Sequence, residues 1–206
     1  LPCGSVEDPC HPPEQHEGAG GSAIGQRDQF GIAGICFEFG EGAIKGAQEV
    51  VRGIADEIGG ERTAIRLSPV TPANDIVDAH PQQTFDYLLH QLAPLGLAYV
   101  HIIVGATGGP REVEGRPFDY EALRQIYRKG GGTGAWMINN GFRDKADAED
   151  ALAKGADIVA FGRTYIANPD LVARLRQDAP LNKLDKDTLY GGGAKGYTDY
   201  PTLSEA

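Results

Sequence analysis

From residue 47 onward the chain alternates between two hydrophobic periods. Val50, Val51, Ile54 and Ile58 share one helical face, and Gly59-Gly60 stops that helix. Thr63–Leu67 is a short apolar run halted by Ser68-Pro69, which reads as a buried strand. Pro81–Leu92 returns to helical spacing, with Phe85, Leu88, Leu89 and Leu92 turned inward. The same exchange recurs three more times. Strands are expected over 98–104, 135–138 and 157–161. Helices are expected around Leu123, Ile126 and Tyr127, then over 145–154 with Ala148, Ala151 and Leu152 inward, then over 171–175 after the Asn168-Pro169-Asp170 start signal.

A helix followed by four strand–helix units in strict alternation predicts a parallel sheet with covering helices. Four units are half of an eight-stranded (β/α) barrel. The fold class expected is therefore α/β, half of a TIM-type barrel. A doubly wound open sheet is disfavoured, because no Gly-x-Gly-x-x-Gly follows the first strand. Residues 1–45 behave differently: they are rich in glycine, carry Pro9, Pro12 and Pro13, and hold no period for long. They are read as an irregular or disordered segment apart from a short apolar stretch over 32–39. Residues 46–206 are read as the half-barrel with its tail, and from Ala179 onward that tail shows no strong period.

The net charge of −10 offers no basic stripe to a nucleic acid backbone. No apolar run is long enough to span a bilayer, and the first residues lack the plan of a signal peptide. Three cysteines, all within the first 36 residues, fit a reducing cytosol, so a cytoplasmic location is expected. Cys3, Cys10, His11 and His16 are read as incidental loop residues, since the gap between the cysteines is too wide for a zinc knuckle.

The chemistry concentrates at two strand-to-helix junctions. Asn139-Asn140-Gly141-Phe142 and Phe161-Gly162-Arg163 each follow an apolar run and precede a helical pattern. On one barrel rim they would present backbone N–H groups and a fixed positive charge to an anion, and the last two strands of a barrel are the usual place for a phosphate. A different phosphate-binding barrel enzyme, such as a sugar-phosphate aldolase or isomerase, would call for a strand lysine or a glutamate base. The four predicted strands contain neither. His101 alternates in facing with Val100 and Ile102 and is read as a satisfied core histidine. His80 and His90 are read as surface groups, and Trp136 as a packing residue.

Six motifs in register resemble one family: Arg66-Leu67-Ser68-Pro69, with His101 following; Gly105-Ala106-Thr107-Gly108-Gly109; Asn140-Gly141-Phe142; Phe161-Gly162-Arg163; Ile166-Ala167-Asn168-Pro169-Asp170-Leu171; and Gly196-Tyr197-Thr198-Asp199-Tyr200-Pro201. Together they are similar to the C-terminal half of the Old Yellow Enzyme family, FMN-containing, NAD(P)H-dependent ene-reductases on an eight-stranded barrel. The likeness runs from about residue 47 to 203.

That resemblance implies FMN as cofactor and NAD(P)H as reductant, with hydride passed through the flavin to an activated alkene or to a nitro or nitrate-ester group. It places Arg66 beside the flavin N1 and C2 oxygen. It places Asn139, the backbone of Asn140, Gly141 and Phe142, and Gly162 with Arg163 around the cofactor and its phosphate. It places Tyr190 in the substrate wall. The first four strands of the family, with the pair that polarises the substrate, have no counterpart that can be placed here, so no catalytic residue is assigned. The competing expectation is a non-catalytic half-barrel that self-associates through its exposed edges.

Overall fold

The computed structural model describes residues 26–27, 33–36, 41–72, 78–189 and 193–204, the first segments as far as residue 43 by backbone alone. Tyr190, Cys3, Cys10, His11 and His16 lie outside the described residues.

The sheet has six strands: β1 (Gln26–Arg27), β2 (Ala33–Cys36), β3 (Thr63–Leu67), β4 (Tyr99–Ile103), β5 (Ala135–Asn139) and β6 (Ile158–Ala160). They lie side by side in chain order. All neighbours from β2 to β6 are parallel, and only the β1–β2 pair is antiparallel. Six helices connect or follow them: α1 (Glu41–Ile58), α2 (Pro81–Leu92), α3 (Tyr120–Lys129), α4 (Lys145–Ala153), α5 (Arg163–Ala167) and α6 (Leu171–Gln177). A strand order that never reverses is that of a barrel wall; a doubly wound sheet would reverse at a switch point.

The parallel sheet has five strands rather than four. The apolar stretch over 32–39 contains β2, which pairs along its length with β3, Cys36 opposite Arg66. Helix α1 begins at Glu41, six residues before the regular hydrophobic spacing. Its start is polar and glycine-bearing, so periodicity alone marks only its packed part.

One face of the sheet carries the core. Ile65, Leu67, Val100, Ile102 and Trp136 point toward the helices and pack with Val51, Phe85, Leu88, Leu92, Leu123 and Tyr127. Strand residues alternate in facing. The residues between them therefore look the other way, into what is the interior of a barrel: Arg66, His101, Met137 and Ile158 form one continuous row across four strands. Leu152, expected inward, is 46% exposed. Helix α4 lies over β6, the edge strand among the described residues, and Ala151 makes the burial there while no described residue beyond the edge covers Leu152.

Candidate functional site

The two junctions singled out in the sequence do converge. A cavity of about 620 Å³ opens at the C-terminal ends of β5 and β6, and its wall includes Asn139, Asn140, Gly141, Phe142, Gly162 and Arg163. The turns are joined to each other: Thr164 Oγ1 donates to the Phe142 carbonyl at 3.3 Å, and the Phe142 and Phe161 rings meet edge to face at 6.3 Å. Gly141 has φ 70°, the left-handed region that glycine enters freely. Gly162 caps α5, and the N–H groups of Gly141, Phe142, Gly162, Arg163 and Thr164 donate to no other described residue.

Three cations line this cavity, Arg143, Arg163 and Lys186, and among the described residues no carboxylate does. In a chain of net charge −10 that is a strong local bias. Arg143 is already engaged by Asp147 at 3.0 Å. The Arg163 guanidinium is exposed and has only a long contact, 3.4 Å, to the Gly108 carbonyl. With Lys186, which is exposed and pairs with no described carboxylate, it is a cation available to an anion.

Arg66 is not part of that cavity wall. It sits one row deeper, at the penultimate position of β3, on the interior face. Its cross-strand partner is His101, and Asn139 lies two residues further along β5 from Met137, the next residue of the row. Arg66 Nε, His101 Nε2 and Asn139 Oδ1 are all buried without a hydrogen-bond partner among the described residues. Burial, and then the Arg66 charge, push the His101 pKa down from 6.5 to about 4; the Asn139 carboxamide beside it acts in the opposite direction. His101 is therefore neutral at pH 7, and Arg66 is the fixed charge of this row. The expectation of a satisfied core histidine is corrected: His101 faces away from the helix-covered core, and its Nε2 has no partner among the described residues. His80 and His90 are exposed, and Trp136 is buried in the core at 3% exposure.

Three contributors escaped the sequence reading. Thr107 and Gly108, in the loop after β4, form part of the cavity wall, as does Lys186 from the tail. The tail itself is tied down. Arg174, 2% exposed, pairs with Asp170 at 2.6 Å and donates to the carbonyls of Pro180 and Pro201. The Asn182 carboxamide donates to the carbonyls of Ala167 and Pro201, and its backbone N–H donates to Asn168 Oδ1. Neither contact leaves a periodic signal, because both join residues through irregular backbone.

The orphaned polar atoms on the interior face and the carboxylate-free, amide-rich cavity fit a flavin mononucleotide. The guanidinium and carboxamide of Arg66 and Asn139 suit the polar edge of the ring, and the two turns with Arg163 suit the phosphate. Among the described residues no cluster of three metal-ligating side chains occurs, and no helix is long and apolar enough to cross a membrane.

The fold and the site thus define a segment of a (β/α) barrel, with a cavity suited to an anion at the ends of β5 and β6. The chain belongs to the NADH:flavin oxidoreductase / NADH oxidase family, whose model matches residues 44–182. It is 37% identical over 161 residues to 12-oxophytodienoate reductase 2 of Arabidopsis thaliana, an alignment that takes in 77% of this chain and 41% of the relative. Among solved structures it matches an old yellow enzyme homologue from Zymomonas mobilis, with TM-score 0.70 and 34% identity over 81% of this chain and 46% of that one. It also matches morphinone reductase in complex with tetrahydroNAD, with TM-score 0.66 and 36% identity over 81% of this chain and 43% of that one. These neighbours are TIM-barrel enzymes, and the chain covers part of such a barrel. It spans about two fifths to half the length of the curated relatives it matches.

Proposed function

We propose that this chain carries the FMN-binding part of an ene-reductase-type oxidoreductase, with NAD(P)H as reductant and an activated alkene or a nitro or nitrate-ester compound as the small-molecule substrate. FMN would supply the redox chemistry, accepting and passing on a hydride equivalent. The protein residues do the rest. Gly141, Phe142, Gly162 and Arg163 would hold the phosphate through main-chain N–H groups and one guanidinium, with the backbone of Asn140 shaping the turn. Arg66 would place a permanent positive charge at the ring edge that becomes electron-rich on reduction, since arginine stays protonated at any working pH. Asn139 would hydrogen-bond beside it. Neutral His101 would keep that edge at a single positive charge. Tyr190, in the tail, is the residue proposed for the substrate wall.

The observation that carries this reading is the cavity at the two junctions: amides from both turns that donate to no other described residue and an exposed arginine, with no carboxylate among the described lining residues of an acidic chain. Its relatives' names support it, including the nicotinamide analogue held by morphinone reductase. The test is titration of the purified chain with FMN, followed by flavin fluorescence and the visible spectrum. The expected result is saturable binding that weakens about tenfold or more in Arg163→Ala. A colourless chain that takes up no FMN overturns the proposal.

One observation favours the second reading, a non-catalytic half-barrel that self-associates. The interior face is partly open, with Ile158 at 37% exposure in its row. Exposed apolar sheet surface drives association. Light scattering separates the readings when combined with the flavin titration: an oligomer that binds no FMN supports the second. Residence in a reducing cytoplasm suits either.

A further inference from the structure

The geometry points to Asn140 and Arg111 as a reciprocal brace that sets the phosphate turn against the loop after β4. This inference rests on the FMN reading and assigns positioning roles to two side chains that the reading itself does not use.

The two residues are 29 positions apart and each reaches into the other's loop. The Asn140 carboxamide donates to the carbonyls of Val104 at 2.7 Å and Ala106 at 2.8 Å, with a longer contact to Gly109 at 3.4 Å. Arg111 returns the connection. Its Nε donates to the Asn140 carbonyl at 3.0 Å, and its guanidinium lies over the Phe142 ring, 4.1 Å from the centroid. Asn140 adopts φ 99°, a conformation in which a non-glycine residue is uncommon and asparagine is enriched. The backbone cost of that conformation is offset by a side chain with three acceptors in reach. Asn140 is also only 8% exposed, so its N–H groups have no solvent to turn to.

The consequence falls on the amides. Residue 140 immediately precedes Gly141 and Phe142, whose N–H groups donate to no other described residue. Fixing the carbonyl of Asn140 through Arg111 fixes the peptide plane that carries the Gly141 N–H, because the peptide unit is rigid. Stacking on the Phe142 ring holds the next step of the turn. An anion site made of main-chain donors gains affinity from donors held in place before the anion arrives. Arg111 does this from behind the turn, so its contribution is geometric, and a lysine, which has no planar fork and no Nε–H, cannot substitute for it.

The test compares FMN with riboflavin, which lacks only the phosphate, on the full 206-residue chain and its variants. Wild type is expected to bind FMN much more tightly than riboflavin. Arg111→Ala and Asn140→Gly are each expected to weaken FMN about tenfold while leaving riboflavin within about twofold. Arg111→Lys is expected to behave as Arg111→Ala. Asn140→Gly keeps the backbone free to adopt the native φ, so it decides the question if Arg111→Ala does not fold. Restoration of FMN binding by Arg111→Lys overturns the brace, since charge alone would then suffice. So does an unchanged FMN-to-riboflavin ratio in Asn140→Gly, or an equal loss of both ligands. A wild-type chain that binds both flavins equally overturns the FMN phosphate reading itself, and the brace with it.

Discussion

Arg66 and His101 are paired across adjacent parallel strands on the interior face of the sheet, and the pair holds one positive charge rather than two. Burial is the main reason, with the Arg66 guanidinium second, and together they bring the His101 pKa from 6.5 to about 4. In the unfolded chain the imidazole regains its ordinary pKa. Between about pH 4 and 6.5 the unfolded state therefore binds more protons than the folded one, and stability must fall as pH falls through that window. The full loss is of the order of 3 kcal/mol, complete near pH 4. Denaturant midpoints measured from pH 7 down to 4 should show it, and His101→Gln should flatten the curve across the same window. A variant with the same pH slope as wild type would show that His101 is not the group responsible.

The position of Arg66 gives a different flavin signature from the residues at the rim. It sits below the phosphate cavity, so under the proposed function it meets the ring and not the phosphate. Arg66→Gln should weaken FMN and riboflavin in parallel, by about ten- to a hundredfold, as expected for loss of a charged hydrogen bond. Parallel titrations with the two flavins measure this. A loss confined to FMN would move Arg66 to the phosphate end and contradict its place in the sheet.

At the other end of the chain, the tail is held by one buried cation. Arg174 is surrounded by Asp170 and the carbonyls of Pro180 and Pro201, while the second oxygen of Asp170 accepts from the Leu203 N–H. Arg174 and this N–H hold the Asp170 carboxyl below the usual range. Arg174→Ala removes a charged donor from the Asp170 carboxylate and from two carbonyls, of which that of Pro180 keeps no other donor among the described residues. Its thermal midpoint should drop by at least about 5 °C. Arg176, two positions on and exposed, provides the control, and Arg176→Ala should change little. Equal shifts in the two variants would mean that the tail contributes no specific stability.

How much of this was legible beforehand follows from what each feature depends on. Thr63–Leu67 and Pro81–Leu92 fall where the periodicity puts them, because local signals, Ser68-Pro69 and the Pro81 start, agree with the packing. The convergence of the two junctions was also readable, since a barrel rim brings consecutive turns together whatever their sequence. Strand β2 was visible only as an apolar stretch: Ala33–Cys36 is too short to show a period, and its pairing with β3 is long-range. Helix α5, five residues long, lies below the length at which spacing is informative. The unpaired state of His101 depends on which face the helices cover. The reach of Arg111 to residue 140 depends on a loop whose sequence announces a turn and nothing of its partner.

Two glycines bring the backbone argument to a test in which one chemical change has opposite signs. Gly53 lies inside α1, and a Cβ there would meet nothing within 4 Å. Gly53→Ala removes unfolded-state freedom and should stabilise the chain by about 0.5–1 kcal/mol. Gly141, at φ 70°, lies in the phosphate turn, and a Cβ there would stand 3.2 Å from Arg111 Nε. Gly141→Ala combines left-handed strain with displacement of the side chain that stacks on Phe142, and should cost roughly 1–2 kcal/mol. Its effect on flavin binding should be selective as well, because the displaced arginine shapes the turn that meets the phosphate. Urea midpoints of the two variants give the signs, and FMN and riboflavin titrations give the selectivity. If Gly141→Ala proves neutral on both counts, the turn tolerates a side chain, and its left-handed geometry cannot be what presents the free amides.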